Sequence, residues 1–384
     1  MEVSSFPALV AGPGTLTRAA SFFKDNNVSN LFLLSDPFIQ NSGLLEPLHK
    51  ACENENITIT SFSDFSGEPK LEKMTQIIEI ARAHNCDGVL GVGGGSALDM
   101  AKIVSITLVA DRPADDYWMM ATPLPPKSLP SIMVPTTAGT GSESCSTNII
   151  SNRDGHKGWI WGPETKPDLI IHDPDLSVSL PPQLTGWCGM DAFIHAFEAS
   201  TNRYAHNSAR GYGHQALKLI TKALPRAVAD GTDLEARQDM LLGSAWAGAA
   251  IDQVGTAVAH HISHAMASLA PIHHGHATAI GFEITLDWIV KGITDPIAIE
   301  KFESIAQTLN VDGYKNLPQF VTNFMDECQI ERRLPANFSD FDKQALVEQL
   351  LADHTQSMRL ATSREVTEEA IKEIVDNLSN LPVM

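Results

Sequence analysis

Six of the chain's fourteen histidines fall within residues 260–276, as His260, His261, His264, His273, His274 and His276. An even spread through 384 residues would put fewer than one there. On a helix His260 and His264 share a face, because they are four apart, and His274 follows a break at Pro271. Two imidazoles on one helix and one from the next turn can converge on an ion, although any one of them alone also reads as a polar or capping histidine. A second pair lies upstream in Gly189-Met-Asp-Ala-Phe-Ile-His-Ala-Phe-Glu198, where Asp191 and His195 are four apart on an otherwise apolar stripe. By itself that spacing equally suits a buried Asp–His hydrogen bond. Joined to His260 and His274 it makes a set of one carboxylate and three imidazoles, which suits Fe(II) or Zn(II) and not the all-oxygen shells of Mg or Ca.

Two turns carry a different chemistry. Gly93-Gly-Gly-Ser-Ala-Leu-Asp-Met-Ala-Lys102 follows an apolar strand and opens a helix. Glycine there lets backbone N–H groups approach a phosphate and the helix N-terminus adds favourable partial charge, though a tight strand-to-helix turn needs glycine for geometry alone. The run is not a G-x-G-x-x-G fingerprint, since Gly91, Gly93 and Ser96 lack the third glycine. Pro135-Thr-Thr-Ala-Gly-Thr-Gly-Ser-Glu143 is a hydroxyl-rich turn able to hold a diphosphate, or equally a polar loop with a helix cap. Asp36 ends the strand at Leu31–Ser35, where a carboxylate accepts hydrogen bonds from a ribose diol or simply forms a turn.

The elements that must position these residues change character along the chain. Leu31–Leu34, Ile57–Thr60, Gly88–Val92 and Ser131–Val134 read as strands, with helical spacing over Glu68–His84 and Ser96–Val109 between them. Strand and helix alternating in this way imply a parallel, layered α/β sheet. More strand-like pieces follow at Asn148–Ile150 and Asp168–Ile171. From Pro181-Pro182 onward long helical periods dominate: Gly189–Asn202, Ser208–Ala229, Leu234–Ile251, Val258–Leu269, Ile297–Leu309, Leu346–His354 and Thr367–Leu378. The second half is read as all-helical, with a domain boundary near residue 180.

Composition narrows the partners. Lys and Arg number 27 against 46 Asp and Glu, a formal charge of −19, which opposes binding to nucleic acid or to an anionic membrane surface. The uncharged window Gln253–Phe282 holds six histidines and a proline, too polar for a bilayer core. The first twelve residues lack the charge pattern of a secretory signal. Five scattered cysteines without a Cys-x-x-Cys pair fit a reducing, cytoplasmic compartment.

Taken in order, Gly93-Gly-Gly-Ser-x-x-Asp99-x-Ala-Lys102, Pro135–Glu143, Gly189-Met-Asp-Ala-x-x-His195-Ala-x-Glu198 and His260-x-x-x-His264 with His274-Gly275 resemble the iron-containing (group III, metal-dependent) alcohol dehydrogenase family over nearly the whole chain. The resemblance implies an α/β plus all-α fold: a Rossmann-like dinucleotide-binding domain with a parallel sheet over residues 1–180, then a helical metal-binding domain over 181–384. It implies metal ligands Asp191, His195, His260 and His274, with His264 beside the substrate. It assigns Gly94, Gly95, Ser96 and Asp99 to the cofactor's phosphate and ribose region, Thr136, Thr137 and Thr140 to the diphosphate and nicotinamide side, and Lys157 to the nicotinamide ribose. Asp36 matches the acidic position that favours NAD over NADP, because its charge repels a 2′-phosphate. Ala265 and His273 stand where the family usually has proline, and Trp187-Cys188 replaces a common small pair.

The implied activity is reversible hydride transfer between a small primary alcohol and NAD, with Fe2+ or else Zn2+ polarising the oxygen, in a homodimer or higher oligomer. A dehydroquinate-synthase-like lyase is the alternative, and it would want a dense basic group near the metal residues, which the sequence lacks. A non-catalytic metal- or NAD-binding protein is the third reading.

Overall fold

The computed structural model describes residues 4–352 and 356–384, and chain contacts divide it into two units, 4–179 and 180–384. The first unit is built on six parallel strands: β1 (Ala8–Ala11), β2 (Asn30–Ser35), β3 (Thr58–Phe62), β4 (Gly88–Gly93), β5 (Ser131–Pro135) and β8 (Leu169–His172), in the order β1-β8-β5-β4-β2-β3. The expected parallel α/β sheet is therefore present. Asn148–Ile150 is a strand, but not of this sheet. It belongs to β6 (Thr147–Ser151), which pairs antiparallel with β7 (Lys157–Trp161) in a separate ribbon.

Alternation along each strand decides which helix it meets. Leu31 and Leu33 of β2 join Leu90, Val92, Ile132 and Val134 in one core, with Phe23 of α1 (Arg18–Asp25) and Leu48 and Cys52 of α3 (Glu46–Asn54). Phe32 and Leu34 point the other way, into a core with Val89 and Met133, Met74 and Ile77 of α4 (Leu71–Ala83), and Leu98 and Val104 of α5 (Gly95–Thr107). Strands β4 and β5 are buried throughout, as a parallel sheet covered on both faces requires. Burying each such leucine or phenylalanine contributes about 1.5–3 kcal/mol. A short α2 (Pro37–Asn41) follows β2.

Helix α5 is buried along nearly its whole length, so its polar residues need internal partners. Lys102 Nζ donates to the carbonyls of Ser142, Cys145 and Thr147 at 2.7, 3.2 and 3.1 Å. Asp99 lies 3.4 Å from the same ammonium, accepts the Ile149 N–H at 2.9 Å, and accepts the Ser142 hydroxyl. The pair anchors the stretch from 142 to 149 against the helix.

The second unit is helical: α6 (Pro182–Thr201), α7 (Asn207–Ala229), α8 (Leu234–Val254), α9 (Val258–Leu269), α10 (His274–Gly292), α11 (Pro296–Thr308), α12 (Leu317–Glu327), α13 (Lys343–Leu351), α14 (Gln356–Ala361) and α15 (Glu368–Ser379). Among its described residues the β-structure is one isolated bridge, Leu334 to Val383. The helix read over Leu346–His354 begins three residues earlier and ends at Leu351, with residues 353–355 outside the described ones. Helix α6 is apolar nearly all round, as a helix buried on every side must be. Its Phe193 and Phe197 face Phe282, Phe302 and Phe324. The opposite face carries Asp191, His195 and Glu198. Among the described residues no helix is long and apolar enough to cross a membrane, and the five cysteines are free thiols.

Candidate metal centre and dinucleotide turns

One turn of α6 separates Asp191 from His195, so both project to the same side, and both are buried. His260 comes from the first turn of α9, and His274 is the first residue of α10. Ligating atoms of Asp191, His195 and His260 lie within 4.8 Å of one another. His260 Nε2 and His274 Nε2 approach Asp191 Oδ1 at 3.4 and 3.5 Å, and His195 Nδ1 lies 4.0 Å from Asp191 Oδ2. The His195 and His260 rings stack at 4.3 Å.

These separations are long for hydrogen bonds and right for a shared cation. Bonds of about 2.0–2.1 Å to a tetrahedral ion put neighbouring ligand atoms about 3.3 Å apart. Asp191 Oδ1 and His260 Nε2 are moreover fully buried with no hydrogen-bond partner, an expensive state that a divalent ion would relieve. The donor set of one carboxylate and three imidazoles therefore fits a divalent transition metal. Burial alone would raise the Asp191 carboxyl, but the charges of His195 and His274 and the contact with His260 outweigh it and hold the group far below the usual carboxylate range. His260 is likewise opposed by burial and yet raised to about 9 by Glu198 and Asp191.

The side chains of Asp191, His195 and His260 are 4, 7 and 3% exposed, whereas that of His274 is 34% exposed, so the cage opens on its side. Half-buried His264 stands there, its ring 5.6 Å from that of His274. Trp187, one turn before Asp191, stacks on His276 at 4.9 Å and meets His273 in a tilted contact at 5.0 Å. His276 Nε2 also contacts the Glu331 carbonyl at 2.8 Å, which ties that ring to the chain near residue 331. What brings α10 close enough is Gly275. A Cβ there would lie 2.2 Å from the Trp187 carbonyl oxygen.

In the sheet unit, parallel register sets three turns side by side. Ser35 pairs with Val92 and Gly93 with Pro135, so Asp36, Gly94–Ser96 and Thr136–Thr140 all leave the carboxyl edge. The strand order reverses direction between β2 and β4, the position where open α/β sheets bind ligands. Thr136 N–H donates to the Gly93 carbonyl at 3.0 Å. A Cβ on Gly95 would sit 2.8 Å from Thr140 Cγ2 and one on Gly94 3.5 Å from Thr137 Oγ1, so the threonines pack directly on the glycine turn.

Asp36 Oδ1 accepts the Ile39 N–H at 2.9 Å and caps α2, while Oδ2 lies over Gly93. Burial raises this carboxyl against the lowering effect of the Ile39 and Phe38 amides. Asp99, by contrast, turns its carboxylate toward Ser142 and Ile149, and Lys157 lies on the ribbon strand β7 with its Nζ 2.5 Å from Glu68 Oε1. Glu198 and Ser263 had no role in the sequence reading. Both hold imidazoles of the candidate site: Glu198 Oε2 accepts His260 Nδ1–H at 2.7 Å, and the Ser263 hydroxyl meets His274 Nδ1 at 2.9 Å. The signal for Glu198 was its place seven residues after Asp191, on the same stripe of α6.

A parallel sheet with glycine- and threonine-rich turns at its carboxyl edge and a helical unit with a candidate metal site point to a class, the metal-assisted oxidoreductases. The family profile described as iron-containing alcohol dehydrogenase matches residues 7–174, and that of the Fe-containing alcohol dehydrogenase family, C-terminal, matches 185–379. The chain belongs to the iron-containing alcohol dehydrogenase family, and it is an alcohol dehydrogenase or aldehyde reductase dependent on a nicotinamide cofactor and a metal.

It is 33% identical over 296 residues to long-chain-alcohol dehydrogenase 1 of Geobacillus thermodenitrificans, spanning 76% of this chain and 75% of that one. It is 30% identical to the sulfoacetaldehyde reductase of Bilophila wadsworthia, over 79% of this chain and 77% of that one. The crystal structure of a sulfoacetaldehyde reductase from Bifidobacterium kashiwanohense in complex with NAD+ shares the fold, with a TM-score of 0.89 at 24% identity, covering 99% of this chain and 98% of that one.

Proposed function

We propose that the chain interconverts a small primary alcohol and its aldehyde, with NAD as the hydride carrier and Fe2+ held by Asp191, His195, His260 and His274. The observation that carries this reading is the pair of 3.4 and 3.5 Å approaches of His260 and His274 to one orphaned oxygen of Asp191. When bound, the ion supplies Lewis-acid polarisation of the alcohol or carbonyl oxygen, and the nicotinamide accepts or returns hydride. Asp191 compensates part of the ion's charge, and the buried rings of His195 and His260 keep water from its inner side. Substrate enters past His274, where His264 takes up the alcohol proton and passes it to solvent.

Amides of Gly94, Gly95 and Ser96 at the start of α5 hold the dinucleotide phosphates, with Thr136, Thr137 and Thr140 on the diphosphate and nicotinamide side. Asp99 supports that loop from behind, and Lys157 serves the nicotinamide ribose. Asp36 at the edge of β2 selects NAD by repelling a 2′-phosphate. The ligand set also accepts Zn2+. Free thiols suit a cytoplasmic enzyme, and a homodimer or higher homo-oligomer is the expected assembly.

The test is elemental analysis of anaerobically purified protein beside NADH oxidation with small aldehydes, including carboxylated, phosphonated and sulfonated ones. His260→Ala should lose both tight metal binding and turnover, and full activity after removal of the metal would overturn the reading.

A further inference from the structure

We propose that Glu198 is a positioning residue for the metal cage: it fixes the tautomer and aim of His260 while tying helix α9 to helix α6. The proposal rests on the reading that the cage holds a divalent ion. Three contacts carry it. Glu198 Oε2 accepts the Ala257 N–H at 2.7 Å and His260 Nδ1–H at 2.7 Å, and Oε1 accepts the Ala259 N–H at 2.8 Å. The carboxyl group is buried, 4% exposed as a residue, and each of its oxygens faces hydrogen-bond donors.

An ionised carboxylate only accepts, so the imidazole must present its proton at Nδ1. When an ion is bound, Nε2 is then the nitrogen that offers its lone pair, and it is the atom that lies 3.4 Å from Asp191 Oδ1. A neutral imidazole has one N–H and one lone pair, so setting the first nitrogen decides the second. The two backbone contacts give the same carboxylate a second duty. Ala257 and Ala259 carry two of the first N–H groups of α9, which a helix cannot satisfy itself.

Asp191, His195 and Glu198 lie on one stripe of α6, at positions i, i+4 and i+7. That helix therefore supplies two ligands directly and steers a third that the chain delivers sixty residues later. His274 has a neutral hydroxyl, Ser263, in the corresponding place.

The experiment is a Co2+ titration of metal-stripped full-length protein, followed by d–d absorption, for the wild type, Glu198→Gln, His260→Ala and the double variant. Glu198→Gln should weaken Co2+ binding by about 10–100-fold and shift the saturated spectrum toward that of His260→Ala. In the His260→Ala background the same change should cost less than threefold, because the residue through which Glu198 acts is gone. A loss of equal size with and without His260 would show that Glu198 serves only the helix end and would overturn the proposal. So would wild-type affinity and spectrum in Glu198→Gln. A wild type that binds no Co2+ would overturn the metal reading itself, and the proposal with it.

Discussion

Replacing Gly275 with alanine sets two effects against each other, and the distances decide between them. Helix propensity alone favours the change by about 1 kcal/mol, since residue 275 lies inside the first turn of α10. The close approach opposes it. A Cβ at 275 would lie 2.2 Å from the carbonyl oxygen of Trp187 and 2.8 Å from its carbonyl carbon, both backbone atoms of a fully packed helix. Ordinary contact begins at about 3.4 Å, so the start of α10 must retreat by about 1.2 Å.

His274 is the preceding residue, and it retreats with it. Metal–ligand bonds tolerate about 0.2 Å, so this imidazole leaves the cage. With about 10–16 kcal/mol shared by four ligands, one ligand is worth about 3 kcal/mol, or about a hundredfold in affinity. Competition against a chelator of known strength measures this directly, and thermal unfolding of the metal-free variant checks that the fold persists. A Gly275→Ala protein that binds metal within threefold of the wild type would refute the reasoning.

Other consequences can be measured separately. Asp36→Ser removes a charge whose repulsion of a phosphate is about 3 kcal/mol at about 5 Å and an effective dielectric of about 20, so the NADP+ to NAD+ ratio of kcat/KM should rise at least about tenfold. A change below threefold would place the ribose elsewhere. Lys102→Met leaves three carbonyls and the Asp99 carboxylate without their buried partner, at a cost of about 3–5 kcal/mol and about 10 °C in Tm, read by thermal unfolding. His214 is lowered to about 4 by burial, with Arg210 and Lys218 adding to the effect. The unfolded imidazole titrates near 6.5, so this contribution to stability is complete above that pH and disappears as pH falls toward 4. Wild-type Tm should therefore drop more between pH 7 and pH 5 than that of His214→Gln, and parallel curves would contradict the assignment.

The sheet was largely legible because β2, β4 and β5 are short apolar runs bounded by turn residues. Strand β1 was not: its four residues sit half-exposed at the sheet edge, with neither alternation nor a continuous buried run. Helix α10 also escaped, although it is nineteen residues long, because Gly275, Gly281, Thr278 and Thr285 dilute its helical signal. Packing against α9 and α6 forms it, and packing is not a local property of sequence.

At the candidate metal site, the sequence singles out Asp191 and His195 by one i, i+4 pair, His260 as the first member of a second, and His274 by its place beyond a proline. The groups that hold Nδ1 of His260 and His274 were harder to read, since Glu198 shares the stripe of Asp191 but a glutamate and a serine look like ordinary helix residues until their neighbours are known. The glycine motif also named Asp99, but it did not announce the buried contacts to Ser142 and Ile149 that fix its carboxylate.

The uneven burial of the four side chains at the candidate metal site also sets the direction from which the site can be reached. Asp191, His195 and His260 are sealed among helices, whereas the His274 side chain is 34% exposed. A chelator competing for an ion held there would therefore approach from the His274 side.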